Sequence, residues 1–182
     1  IIRKIWDDGD AFYRPATPLT LELLKNGAFD RSATIADPQG SGASWSYVFE
    51  DLPEYDENGK IDYTVYEPVV PAAPRYTATH NGLEVTNTSY VTITFVDYNG
   101  IPLKQVKVKH GGSTTAPTVT SDRVNYTFIG WDKPASAWDG NVTRDTTINA
   151  VYALIEEAAV ELTELGIPLA GGTVANVGDS FD

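Results

Sequence analysis

Apolar and polar residues alternate with a period of two along much of the first ninety residues, the mark of half-buried β-strands. IIRKIW opens the chain with β-branched and aromatic residues and ends in an Asp/Gly cluster, which predicts a strand over 1–6. Further strands are expected near 18–24, 44–50, 61–67, 75–79 and 83–88. TLELLKNG has some helical spacing, but Leu19, Leu21 and Leu23 alternate with Thr20 and Glu22, which fits a strand better. YDENGK reads as an Asn-Gly turn, and the three prolines of PVVPAAPR exclude a central strand there. At Tyr90 the pattern restarts. YVTITFVDYNG, PLKQVKVKHGG, NYTFIGWD and TTINAVYA read as four more strands, and LIEEAAVELTEL after Ala153 reads as a short helix.

This divides the chain into 1–89, 90–153 and an acidic tail, 154–182, either a short helix or disordered. Nearly no linker separates the first two, so rigid end-to-end docking is expected. Charge follows the same division: 7 basic against 14 acidic residues in 1–89, 6 against 5 in 90–153, and none against 6 in the tail. The net charge of −12 argues against nucleic acid as a partner. Without cysteine there are no disulfides or thiolate metal sites, so an extracellular domain of this size would need another staple. The chain opens mid-strand with no initiator methionine and reads as a piece of a longer protein.

Alternation also places three polar residues in phase with the core. Lys4 shares a face with Ile2 and Trp6, Glu67 with Tyr63 and Val65, and Asn87 with Leu83 and Val85. One reading is ordinary: a lysine laid over apolar neighbours with its ammonium in water. The other is chemical. Burial disfavours both Lys-NH3+ and Glu-COO−, leaving a neutral amine and a protonated acid. The Lys4 amine then attacks the Asn87 carboxamide, Glu67 serves as acid/base, ammonia leaves, and a Lys–Asn isopeptide bond remains.

Several motifs occur in order: KIWDDGDAFYRP, LTLELLKNG, WSYVFEDLPEYDENGKIDYTVYEPVVP and LEVTNTS. With them, residues 1–89 resemble a Cna B-type domain of Gram-positive surface proteins. The resemblance implies an inverse immunoglobulin-like β-sandwich, and an isopeptide bond between Lys4 and Asn87 assisted by Glu67. VVPAAPRYT departs from the family, which usually has glycine after the proline. Residues 90–153 carry F-x-D-x-x-G, V-x-x-G-x-x-x-x-A-P and Y-x-F-x-G-W-D, and resemble a Listeria–Bacteroides or internalin B-repeat. That implies a small β-grasp-like domain set between surface-protein domains.

Other candidates read more simply. Asp7, Asp8 and Asp10 lack the ligand spacing of a calcium loop and are expected in a solvated turn. His80 and His110 have no ligand-like partners at motif spacing. Trp6 and Trp131 are expected in the core, and Trp138 is the best candidate for an exposed aromatic, although packing is the simpler expectation. No metal or cofactor is expected, nor enzymatic turnover beyond a single self-cross-linking event.

The resulting expectation is a mainly β, monomeric stalk region of an extracellular protein. It would be held at the cell surface or wall through sequence outside this chain, with neighbouring domains as its partners. The alternative is an adhesin module that binds host protein or glycan itself.

Overall fold

The computed structural model describes residues 1–16, 18–35, 42–120 and 122–155. The first half holds β1 (Ile2–Asp7), β2 (Leu19–Lys25), β3 (Ala28–Ile35), β4 (Ser44–Tyr47), β5 (Tyr55–Asp56), β6 (Gly59–Lys60), β7 (Tyr63–Tyr66) and β8 (Tyr76–Asn81). β9 (Glu84–Val96) leads into β10 (Pro102–Lys109), β11 (Tyr126–Trp131), a single 3-10 turn at Ala135–Ala137, and β12 (Thr146–Leu154). There is no α-helix among the described residues, and no described helix is long and apolar enough to cross a membrane. The tail expected as helix or disorder lies outside the described residues from 156 onward; Leu154 itself ends β12.

β9 is the spine of the molecule. Its inward positions, Val85, Asn87, Ser89, Val91, Ile93 and Phe95, keep one phase over thirteen residues, and all six are buried. Along its first half it pairs with β1 in parallel and β8 antiparallel; along its second half, with β12 in parallel and β10 antiparallel. The division expected at Ser89–Tyr90 thus falls inside one continuous strand. One apolar cluster gathers Ile2, Trp6, Leu19, Leu21, Leu23, Val65, Tyr76 and Val85. The other gathers Val91, Ile93, Phe95, Trp138, Val142 and Ile148.

The first cluster lies between the β8–β9–β1–β4 part of the large sheet and a smaller sheet ordered β3–β2–β7. Leu19, Leu21 and Leu23 are 0–1% exposed, which settles that segment as a strand. β3 has no counterpart in the sequence reading. It is an edge strand with a single buried residue, Ala33, so it carries almost no apolar phase to detect.

Side chains from the β1–β2 loop and from around β8 and β10 tie the two halves together. Tyr13 packs against both clusters, and its hydroxyl accepts from the Asp145 N–H. Asp145 in turn receives both Arg75 Nη2 and the Thr92 N–H. Asp10 pairs with Arg144 at 2.7 Å, and Asp7 with Lys109 at 2.6 Å. Gly9 stands at φ +66° against the His110 ring, where an added Cβ would lie 2.4 Å from a ring carbon.

Candidate functional site

β1 turns Ile2, Lys4 and Trp6 inward, and β9 turns Val85 and Asn87 inward on the same face. Their parallel register sets Lys4 opposite Val85 and Trp6 opposite Asn87, so Lys4 and Asn87 are diagonal neighbours. Glu67 comes from the facing sheet, one residue past the end of β7 and in phase with Val65. Lys4, Glu67 and Asn87 are 0, 1 and 0% exposed. The structure therefore buries all three sequence-derived residues in one core. Leu83, expected beside Asn87, is exposed in the turn before β9.

The polar atoms are only partly satisfied. Asn87 Nδ2 donates to Glu67 Oε1 at 3.2 Å, while Glu67 Oε2 and Asn87 Oδ1 are buried with no hydrogen-bond partner among the described residues. Lys4 Nζ donates to the Ile5 carbonyl at 3.2 Å and lies 4.3 Å from the Trp6 ring centroid. The Glu67 backbone N–H donates to His80 Nε2 at 3.1 Å, so that imidazole nitrogen is unprotonated and pins the backbone beside the carboxyl. Buried polar groups without partners are costly. Here they converge on an amine, a carboxyl and a carboxamide.

Burial pushes the Lys4 amine down to about 8, reinforced by the Arg14 charge and opposed by Glu67 and Asp8. Burial likewise pushes the Glu67 carboxyl up, against the pull of Lys4 and the Asn87 hydrogen bond. Both directions favour neutral forms. A chain that keeps Lys4 and Glu67 but carries Asn87→Ala makes the consequence measurable. Between about pH 8 and 10.5 its unfolded lysine holds a proton that the folded one has released, so stability rises with pH through that window. From pH 4.5 upward the raised Glu67 acts with the opposite sign, and a stability minimum near neutral pH is expected. Urea midpoints at pH 7.5 and 10, referenced to Lys4→Met/Asn87→Ala, check this; the rise is at most about 3 kcal/mol. A flat difference would mean that the lysine is not desolvated.

The acidic turn departs from expectation. Asp8 is 2% exposed rather than solvated: Arg14 grips both its oxygens at 2.8 and 2.7 Å, and Tyr76 donates to it at 3.0 Å. Asp7 and Asp10 hold cations of the second half. The signal was present, since Asp8 continues the inward phase of Ile2, Lys4 and Trp6 one step beyond the strand. Trp6 is buried, as expected. Trp138 is buried against Phe95, with ring centroids 5.5 Å apart, and Trp131 packs against the same ring at 4.9 Å. His110 faces Asp10 at 3.4 Å.

Residues 1–88 match the Cna protein B-type domain family. A collagen adhesin of Staphylococcus aureus is 31% identical over 159 residues, covering 78% of this chain but 13% of that protein's length. Among solved structures, a single B repeat unit of the S. aureus collagen-binding surface protein is 23% identical and covers 83% of this chain and 96% of its own, with a TM-score of 0.38. A pair of such units from the same protein is 22% identical, covers 84% of this chain and 48% of that one, and also gives 0.38.

Proposed function

Because residues 1–88 match the Cna protein B-type domain family, we propose that this chain is a stalk segment of a bacterial cell-surface protein, its first unit closed by an autocatalytic Lys4–Asn87 isopeptide bond. The observation that carries this reading is the burial of amine, acid and carboxamide in one core, with Asn87 already bonded to Glu67. In the reaction, neutral Lys4 Nζ attacks Asn87 Cγ. A protonated Glu67 hydrogen-bonds the amide oxygen, and the carboxyl then carries the amine's proton to Nδ2. The Nζ–Cγ bond forms, the Cγ–Nδ2 bond breaks, and ammonia leaves. No oxidant or cofactor is needed, and each molecule reacts once.

Topology gives the bond a mechanical purpose. β1, β9 and β12 all run the same way, so β1 begins at one end of the molecule and β12 finishes at the other. Tension applied along the chain enters through β1 and would pass at Lys4 straight into β9. The rest of the first unit is thereby relieved of load. In the second half, β10–β9–β12–β11 form a mixed sheet with the parallel pair at its centre, which supports a β-grasp-like repeat of internalin B type. The likeness to a surface adhesin supports an extracellular location, with anchoring through sequence outside this chain.

Direct binding of a host protein or glycan is the second reading. It draws on the row of Tyr98, Tyr152 and Phe128 rings beside β11 and β12, where Tyr98 is 44% exposed.

Pulling the chain from its ends tests the stalk. The segment between residues 4 and 87 would stretch to roughly 280 Å at about 3.4 Å per residue. With the bond in place that length is expected never to appear, while Asn87→Ala releases it. Full extension of the wild-type chain would refute the reading.

A further inference from the structure

The buried Asp8–Arg14 pair sits against the proposed reaction centre. The Arg14 side chain is 4% exposed, and its guanidinium lies 5.1 Å from the centroid of the same Trp6 ring that the Lys4 amine approaches at 4.3 Å. The two cations are therefore no more than about 10 Å apart, in a core where salt screens little. Tyr76 completes the frame: its ring meets Trp6 edge-on at 5.5 Å while its hydroxyl bonds Asp8. Arg14 Nη1 also donates to the Gly42 carbonyl at 2.8 Å, which fixes the guanidinium from a third side.

We infer that Arg14, held by Asp8, is a positioning residue for the Lys4 amine: it locks the Trp6 ring on which the amine rests and places a permanent cation beside it. This rests on the reading that Lys4 attacks Asn87. Two physical arguments lead to it. An aromatic face attracts an ammonium and, acting alone, would keep Lys4 charged and unreactive. Arginine never gives up its charge, so a guanidinium beside the same ring keeps a fixed positive charge near the amine and disfavours a second cation there. Arg14 acts on Lys4 in this direction, against the opposing pulls of Glu67 and Asp8. Moreover, a buried ion pair adds little net stability, because desolvation offsets its Coulomb attraction. Folding alone therefore gives little reason for this pair to be where it is.

Kinetics of the whole chain separate positioning from a purely structural role. The chain is synthesised in a short cell-free pulse and chased at pH values from 6 to 9.5, and loss of one ammonia is followed by intact mass. Asp8→Asn/Arg14→Gln keeps a hydrogen-bonding pair without charge. Its rate profile is expected to move about half a unit to one unit towards higher pH, slowing the reaction about three- to tenfold at pH 7. Arg14→Lys keeps the charge but loses the two-pronged grip on Asp8. It is expected to retain the wild-type midpoint while slowing about threefold at every pH. A folded double variant with the wild-type profile would overturn the inference. Should the double variant fail to fold, Arg14→Lys decides, and an unchanged rate there overturns it. If the wild-type chain never loses ammonia, the isopeptide reading itself fails and this inference falls with it. If the wild type reacts and the variants match it, only the role of Arg14 is refuted.

Discussion

Lys4→Met is expected to lower the melting temperature of the first unit by roughly 20 °C and to make it sensitive to proteases. Methionine fills similar space without an amine, so packing is largely kept. What disappears is the covalent closure between residues 4 and 87. By the chain-entropy argument used for disulfides, a loop of that length constrains the unfolded state by about 4–5 kcal/mol. For a domain of this size, each kcal/mol shifts the midpoint by about 4–8 °C. Removing an ordinary buried lysine would act in the opposite direction, since desolvating an unreacted ammonium is costly. The sign of the change therefore separates the two readings. A stability equal to or above that of the wild type would mean that Lys4 forms no bond. Scanning calorimetry with limited proteolysis measures it.

Glu67→Gln is expected to slow formation of the bond about 10²- to 10⁴-fold, the usual worth of a positioned general acid/base. The substitution is close to isosteric. It preserves an acceptor for the Asn87 Nδ2–H, now 3.2 Å from Glu67 Oε1, but the amide cannot take a proton from the amine and pass it to the leaving nitrogen. Lys4, Asn87 and Trp6 remain in place, so the chain should fold and then close over hours or days instead of promptly. Mass spectra of the freshly purified variant should be dominated by the uncrosslinked form. Prompt and complete closure would remove Glu67 from the mechanism.

How much of this was written in the sequence depends on the kind of question asked of it. A two-residue period says which face a side chain takes, and it placed Ile2, Lys4 and Trp6 of β1 and the three leucines of β2 inside. The same period put Lys4, Glu67 and Asn87 in phase with the core. It does not say which strand lies next to which. The parallel pairing of β1 with β9, which makes Lys4 and Asn87 diagonal neighbours, joins residues about eighty positions apart, and no local pattern encodes it. β3 escaped notice because an exposed edge strand has nearly no apolar face. Asp8 escaped because an acidic cluster beside a glycine looks like solvated turn chemistry, whereas its partner Arg14 lies beyond the turn. The continuity of β9 was legible in one respect: its buried positions keep phase from Val85 to Phe95 without a break. The change of charge and motif at Tyr90 coincides with no break in that phase.

The central claim is covalent, and the intact mass of the purified, fully denatured chain tests it most directly. Attack of the Lys4 amine on the Asn87 carboxamide expels one ammonia, so the account predicts a mass about 17 Da below that of the sequence, with the deficit carried by a branched peptide containing both residues. The full sequence mass, with Lys4 and Asn87 recovered in separate unmodified peptides, would contradict it.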